Sequence, residues 1–204
     1  AAGGMKVGDP FAEGSNLGPL ASAAQRDRVQ SYIAKGIEEG AKLIFGGPGA
    51  PEGLTTGYYV NPTVFSEVKN SMAIAQEEIF GPILPILSYK NIQEAIDLIN
   101  SQPKPLALYY FGSNSSNSKK VLEETSSGNM VINDCVLHFL HNELPFGGVN
   151  NSGIGKAHGY HGFLAFSNEK GVLKQRVGYN NVSLLRPPYG AKAKQIIASL
   201  IKWF

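Results

Sequence analysis

The first regular pattern of apolar positions lies between residues 22 and 40 and has the period of a helix. The side chains that share this period are Val29, Tyr32, Ile33 and Ile37. Ser22 and Gln25 precede them with the spacing of a capping-box pair. The pattern predicts a helix that begins after Ser22 and ends near Gly40.

From residue 42 onward, short apolar runs alternate with amphipathic segments. Strands are predicted at residues 42–45, 58–68, 83–90, 106–113 and 129–134, and helices at residues 91–100 and 118–127. Pro62 implies that the second strand is interrupted or lies at a sheet edge, and the glycine- and proline-rich residues 46–57 predict a surface loop. This alternation is typical of an α/β fold that has a mainly parallel sheet with helices on both faces.

A short amphipathic helix is predicted at the end of the chain, within residues 191–204. Its apolar side carries Ile196, Ile197, Leu200, Ile201 and Phe204. The helix has under about four turns and only a small basic face. We therefore expect it to dock on a neighbouring subunit, with contact to a membrane surface as the alternative. The sequence has no run of about 18 apolar residues that could cross a bilayer.

The composition limits the classes of function. Hydrophobic residues make up 43% of the chain and charged residues 17%, as in a loop-rich globular protein. The net charge of +2 is not concentrated in any segment, so nucleic acid is not an expected partner. Cys135 is the only cysteine, which excludes a disulfide within the chain. With no signal peptide visible, the sequence predicts a cytoplasmic protein.

The glycine-rich residues 144–162 suggest two phosphate-binding motifs, and both fail on spacing. In a P-loop, glycine stands five positions before the Gly-Lys pair, and Ser or Thr follows the lysine. Around Lys156 these positions hold asparagine and alanine. A dinucleotide fingerprint requires Gly-x-Gly-x-x-Gly, whereas Gly153, Gly155 and Gly159 are spaced one residue too wide.

The four histidines form two pairs, His138 with His141 and His158 with His161. A helix would place the members of each pair on one face, as a metal site requires. Glycines around the second pair disfavour a helix, and neither cysteine nor an acidic pair stands nearby in a ligand pattern. We therefore expect no metal site, and we expect the histidines to be solvated or hydrogen-bonded.

Taken together, several motifs resemble the NAD(P)-dependent aldehyde dehydrogenases. Residues 145–163 contain "PFGG", "SGIG", "HG" and a final phenylalanine in the order of that family's C-terminal signature, and "AQEEIFGPILPIL" at residues 75–87 matches a second family segment. Further matches are "VGDP", "YYVNPTVF", "KPLALYYF", "SSGNMVIND" and "FSNEKGVL". The resemblance extends to about Val177, and after Phe80 it is similar to the class-three branch that acts on fatty and aromatic aldehydes.

This resemblance implies that residues 1–177 are part of an aldehyde dehydrogenase catalytic domain and that residues 178–204 are a C-terminal tail. Glu78 would accept hydrogen bonds from the hydroxyls of the nicotinamide ribose, and Phe80 would pack beside that ribose and ring. The alternatives are a solvated or helix-capping role for Glu78 and core packing for Phe80. The cofactor of the complete enzyme would be NAD or NADP, and tight binding to this chain alone is not expected.

The resemblance also shows which catalytic parts this sequence lacks. The family's nucleophilic cysteine in a Gly-Gln-x-Cys setting, its glutamate base, its oxyanion-binding asparagine and its cofactor domain are absent. Cys135 lies in the segment Asn133–His141, which resembles the lining of the aldehyde tunnel, and is expected to be an inert, partly buried thiol. We therefore expect no catalytic residue here.

Two hypotheses follow. In the first, the chain is the C-terminal portion of an aldehyde dehydrogenase, inactive without its missing half. In the second, it is a non-catalytic domain that associates with copies of itself, because the apolar strands need cover that this chain lacks.

Overall fold

The computed structural model describes residues 1–178 and 186–203, which fall into two compact units. The first unit consists of Ala1–Pro103 and Asn114–Ser126, and the second consists of Lys104–Ser113 and Ser127–Phe204. The boundary predicted at residue 177 lies within the second unit, and the division into catalytic domain and tail stays a prediction. The apolar position predicted for Phe204 lies outside the described residues.

In the first unit, a short 3-10 turn at Ala2–Gly4 is followed by helix α1, Ala23–Glu38. The helix begins as predicted, because the Ser22 side chain accepts a hydrogen bond from the Gln25 backbone N–H at 3.2 Å. The predicted capping box is wrong in its second half, since the Gln25 side chain donates to the carbonyl of Phe80 instead of returning to Ser22.

After α1, the chain forms a three-stranded sheet, which contains β1 (Lys42–Phe45), β2 (Thr63–Ser66) and β3 (Ile83–Pro85). The strand order is β1-β2-β3, with β1 and β2 antiparallel and β2 and β3 parallel. Pro62 directly precedes β2, so the strand predicted at residues 58–68 is interrupted at this proline and β2 begins only after it. The alternative of an edge position is wrong, because β2 is the middle strand.

Three further helices complete the first unit: α2 (Ala73–Gln76), α3 (Ile92–Ser101) and α4 (Ser115–Glu124). Asn91 and Asn114 cap α3 and α4 by accepting hydrogen bonds from backbone N–H groups of the first turn. The core of this unit is one cluster of buried side chains, formed by Val29, Tyr32, Ile33, Ala41, Val60, Phe65, Val68, Met72, Ala73, Ile74 and Ile79. Ile37, which the helical period also placed on the buried side, is exposed.

The second unit contains two parallel strands, β4 (Ala107–Tyr110) and β5 (Asn129–Ile132), and helices α5 (Gly159–Ala165) and α6 (Ala191–Ile201). Short 3-10 helices occur at Leu137–Leu140 and Asn150–Ser152. The helix α6 confirms the predicted tail helix. The helix α5 corrects the expectation that glycines around His161 would prevent one.

These elements confirm the α/β class, and two of the three strand pairings are parallel. The strands divide between a three-stranded and a two-stranded sheet, where the alternation had predicted one. Among the described helices, none combines the length and the apolar character that crossing a bilayer requires.

Candidate functional site

The loop Glu77–Gly81 connects the end of α2 to β3 and carries both predicted binding residues. At its start, the Glu77 backbone N–H donates to the Ala73 carbonyl at 3.0 Å. Just beyond its end, the Thr63 backbone N–H donates to the carbonyl of Pro82 at 2.8 Å. In the middle of the loop, Ile79 is buried in the core cluster. The loop is therefore anchored at both ends and at its centre.

Glu78 projects from this anchored loop as an exposed side chain. Its carboxylate makes no hydrogen bond or ion pair with any residue in the described part of the chain. Helix capping, one of its two alternative roles, is not found, since Glu78 lies beyond the C-terminal end of α2. Both carboxylate oxygens are free to accept hydrogen bonds from a ligand.

Phe80 is 70% exposed, so the alternative role of core packing is wrong in this structure. Its backbone lies in the left-handed region, with φ at 52°, which is unfavourable for a residue with a β-carbon. The carbonyl of Phe80 accepts a hydrogen bond from Gln25 Nε2 at 2.6 Å. This bond joins α1 to the loop across 55 positions of sequence.

Tyr32 makes a second connection between α1 and the loop. It is buried, and its hydroxyl donates to Oε2 of Glu77 while accepting from Nη2 of Arg28 at 3.0 Å. The Arg28 guanidinium also lies 5.1 Å from the centre of the Tyr32 ring. The hydrogen bond to the Glu77 carboxylate, together with burial, raises the pKa of Tyr32 above its ordinary value of 10.0, although Arg28 acts in the opposite direction.

Gly81 provides the closest approach between α1 and the loop. A β-carbon added at this glycine would lie 2.5 Å from Cγ2 of Val29, closer than two carbon atoms approach without a bond. Val29 is fully buried on α1. The contact therefore requires glycine at position 81 and brings the loop backbone directly against the helix.

In the second unit, His138 is the centre of an aromatic cluster. Its ring lies 5.9 Å from that of Tyr109 and 5.5 Å from that of Phe146, which in turn stacks on His158 at 5.1 Å. His138 is buried, and neither ring nitrogen has a hydrogen-bond partner among the described residues. The expectation of a solvated or hydrogen-bonded histidine is therefore wrong for His138, because the side chain packs as an aromatic ring.

Cys135 and the histidines do not form a ligand cluster in the part of the chain that the structure describes, where no three His, Cys, Asp or Glu side chains are grouped to hold a metal ion. Cys135 is exposed, which corrects the expectation of a partly buried thiol.

Lys156 gives a structural reason for the glycines in residues 144–162, whose spacing does not match a phosphate-binding motif. Its ammonium group donates to the carbonyls of Gly128, Gly147 and Gly148 at 3.0, 2.7 and 3.4 Å. A β-carbon at Gly148 would collide with the backbone of Ser152. The glycines thus allow backbone segments to pack closely around a lysine that holds them together.

Sequence patterns do not reveal the contacts of Gln25 and Tyr32, which support the loop Glu77–Gly81, or those of Lys156 in the second unit. Gln25 was assigned to a local cap, Tyr32 to the apolar side of a helix, and Lys156 to a failed motif. Each acts through a contact with a segment distant in sequence or with a loop backbone. Patterns within one element cannot reveal such contacts.

Comparisons with known proteins assign this arrangement to a family. Residues 1–172 match the model of the aldehyde dehydrogenase family. A putative aldehyde dehydrogenase of Staphylococcus haemolyticus is 47% identical over 168 residues, covering 82% of this chain and 35% of that protein. One from Staphylococcus saprophyticus is 45% identical, covering 87% and 36%. The chain thus spans about a third of the length of these relatives.

Solved structures agree with the sequence comparison. An aldehyde dehydrogenase of Mycobacterium tuberculosis complexed with NAD+ superposes with a TM-score of 0.79 at 42% identity, covering 88% of this chain and 36% of that one. A mutant of aldehyde dehydrogenase C from Pseudomonas syringae, complexed with NAD+ and octanal, has a TM-score of 0.74 at 43% identity, covering 79% and 33%. The chain belongs to the aldehyde dehydrogenase family.

Proposed function

We propose that this chain is the C-terminal portion of an NAD(P)-dependent aldehyde dehydrogenase, which oxidises an aldehyde to a carboxylic acid. In this proposal the loop Glu77–Gly81 contributes the protein's contacts to the nicotinamide ribose. The supporting observation is an exposed carboxylate without a partner among the described residues, next to an exposed aromatic ring on a fixed backbone. Two relatives solved with NAD+ support a nicotinamide cofactor for the complete enzyme.

Glu78 fits a ribose because a carboxylate can accept hydrogen bonds from two neighbouring hydroxyl groups at once. Such bonds are charge-assisted and stronger than those between neutral groups. Because the carboxylate has no competing partner among the described residues, binding the hydroxyls would not require an existing hydrogen bond to break. Glu78 therefore orients the ribose.

Phe80 fits the adjacent ring because an exposed aromatic side chain provides a flat apolar wall. A nicotinamide ring that can rotate away from the substrate does not receive hydride efficiently. When bound, the cofactor accepts the hydride that the aldehyde loses. Phe80 restricts where that ring lies, and Glu78 restricts the sugar that carries it.

The chain alone is inactive in this proposal, and it does not bind the cofactor tightly. The sequence has no cysteine in the Gly-Gln-x-Cys setting of the family, and Cys135 lies in the segment that resembles the aldehyde tunnel. Purified chain with NAD+ or NADP+ and aliphatic or aromatic aldehydes should produce reduced cofactor only at the background rate. Turnover that disappears in Cys135→Ser would contradict this.

The role of the loop can be tested by grafting residues 1–172 onto the Mycobacterium tuberculosis enzyme in place of its matching segment. In this chimera, Glu78→Gln should slow single-turnover NADH formation by about 5- to 30-fold, since losing a charge-assisted bond costs about 1–2 kcal/mol. Calorimetry should show weaker NAD+ binding. The matched control is Glu52→Gln, which alters an exposed acid in a surface loop.

In the chimera, both variants should melt at the temperature of the parent, because both acids are exposed. Equal NADH formation and NAD+ affinity in the Glu78→Gln chimera and its parent would show that Glu78 has no role toward the cofactor.

A second candidate function is self-association as a non-catalytic domain. Exposed apolar side chains concentrate in the second unit, where Phe166 is 96% and Leu173 92% exposed. Such surfaces are usually covered in the cell. Size exclusion with light scattering should show a dimer or larger assembly, with contacts burying well over about 1,000 Å². A monodisperse monomer at about 50 μM would exclude this candidate as a stable assembly.

A further inference from the structure

We propose that one face of helix α1 is a clamp that fixes the loop Glu77–Gly81 in the conformation that presents Glu78 and Phe80. The clamp consists of Gln25, Val29 and Tyr32, and the polar pair, Gln25 and Tyr32, are positioning residues. This inference rests on the proposed role of the loop toward the cofactor. It assigns to α1 a part in that role beyond stabilising the core.

The spacing of the three residues places them on one side of the helix. Positions separated by four and then three residues lie one above another along a helix face. Gln25 contacts the carbonyl of Phe80, Val29 lies against Gly81, and Tyr32 donates to Glu77. The whole length of the loop is thus held by a single rigid element.

The contact with Gln25 offsets an unfavourable backbone conformation. Phe80 has a positive φ, and a residue in the left-handed region persists only where its surroundings hold it there. The amide of Gln25 donates to the carbonyl of that same residue at 2.6 Å. We therefore expect the loop to leave this conformation when the donor is removed.

The contact with Tyr32 fixes the other end of the loop and separates the roles of two adjacent acids. The Glu77 carboxylate accepts from the Tyr32 hydroxyl, whereas the neighbouring Glu78 carboxylate has no partner among the described residues. Ile79, between Glu78 and Phe80, is buried in the core. Glu78 therefore has a fixed backbone and a free carboxylate, an arrangement that reduces the entropy lost when a ligand binds.

The test uses nuclear magnetic resonance on the 204-residue chain itself. In Gln25→Ala, the backbone order parameter of Phe80 should fall from the rigid range near about 0.85 toward about 0.6. The carbonyl and Cα chemical shifts of Phe80 should move, because both the hydrogen bond and the positive φ are lost. Tyr32→Phe keeps the ring and removes the donor, and it should mobilise Glu77 and Glu78.

Two matched controls lie close to the clamp. Gln30 lies on the same helix and exchanges two hydrogen bonds with Gly49, at 2.8 and 3.0 Å, so Gln30→Ala should loosen that loop and leave Phe80 unchanged. Tyr58 lies under Arg26 much as Tyr32 lies under Arg28, so Tyr58→Phe controls for Tyr32→Phe. Unchanged shifts and order parameter of Phe80 in Gln25→Ala would overturn the clamp.

The functional arm uses the chimera described above. Gln25→Ala should slow single-turnover NADH formation by about three- to tenfold, the fold-change expected for one hydrogen bond, while the melting temperature stays near that of Gln30→Ala. If Gln25 had only a structural role, Gln25→Ala and Gln30→Ala would change NADH formation and the melting temperature to the same extent. If the loop loosens but neither Gln25→Ala nor Glu78→Gln affects NADH formation, the clamp holds and the proposed cofactor role fails. If only Glu78→Gln has an effect, α1 has no part in the cofactor role, and that part of the inference is wrong.

Discussion

The first unit buries eleven side chains in one cluster around Ile33 and Phe65, whereas the second unit, in its described residues, buries only the side chains of His138 and Ala193. Both units contain strands and helices, so the difference does not lie in secondary structure. It lies in how each unit holds its segments together. The first uses apolar packing, and the second uses close backbone approach, the polar contacts of Lys156 and an aromatic cluster.

This difference indicates where each unit's stability comes from. A cluster such as that of the first unit supplies its own apolar driving force. The second unit leaves many of its large apolar side chains exposed and so gains less from burial within itself. In the proposed function, the rest of a dehydrogenase covers these side chains, and in the second candidate function a second copy of the chain covers them.

The largest expected effect comes from removing the centre of the apolar core. Phe65→Ala deletes a fully buried ring, and such deletions lower the free energy of unfolding by about 3–5 kcal/mol. Hydrogen exchange of the α1 amides in the first unit should report this loss. Leu173→Ala, the control in the second unit, removes an exposed side chain and should change stability by less than about 0.5 kcal/mol. Similar losses from both substitutions would remove the contrast between the units.

A smaller effect is expected from breaking the polar contacts of the second unit. Lys156→Met keeps most of the side-chain volume and leaves the carbonyls of Gly128 and Gly148 without their donor, while the Gly147 carbonyl still accepts from Nδ2 of Asn129. The loss costs about 1–3 kcal/mol. The amides of Phe146 and Ala157, each paired with the carbonyl of the other, should exchange faster. Lys174→Met, which changes an exposed lysine, is the control. If both amides keep their rates, Lys156 does not hold this loop.

The apolar surface of the second unit provides a third comparison. If it is covered by a second copy, Phe166→Ser should weaken association by about 1–2 kcal/mol, as expected for one apolar side chain at an interface. Phe11→Ser is the matched control, because Phe11 in the first unit is 98% exposed. Light scattering over a dilution series measures the association of both variants. Equal shifts would mean that exposure alone, and not the second unit's surface, determines association.

The contrast between the units also shows what sequence patterns can predict. Local features were predicted well: the start of α1 at Ser22 and the tail helix depend on residues within a few positions of one another. Strand lengths were overestimated because an apolar run continues beyond the residues that pair. The helical period also predicted that Ile37 is buried, but the buried residue in the last turns of α1 is Gly36.

The candidate site was predicted only in part, for the same physical reason. The motif identified Glu78 and Phe80, and the structure places both on an exposed loop. Whether they bind the cofactor stays a proposal, as does the class-three branch, since the matches establish the family alone. The contact of Gln25 with Phe80 and the burial of His138 between Tyr109 and Phe146 depend on chain segments far apart in sequence, which no local spacing encodes.

The smallest expected effect concerns the pH dependence of the first unit. The pKa of Tyr32 is raised by its hydrogen bond to Glu77, so the folded state favours the protonated phenol. The resulting stability is fully present below about pH 10, the ordinary pKa of tyrosine, and is lost as the pH rises through the raised value.

Tyr32→Phe has no hydroxyl to titrate. Its urea midpoint should therefore fall less than that of the parent between about pH 9 and about pH 11. Tyr58→Phe, which removes the hydroxyl of another tyrosine in the first unit, is the matched control. If Tyr32→Phe and Tyr58→Phe lose stability in parallel over this range, the Tyr32–Glu77 bond does not contribute to holding the loop against α1.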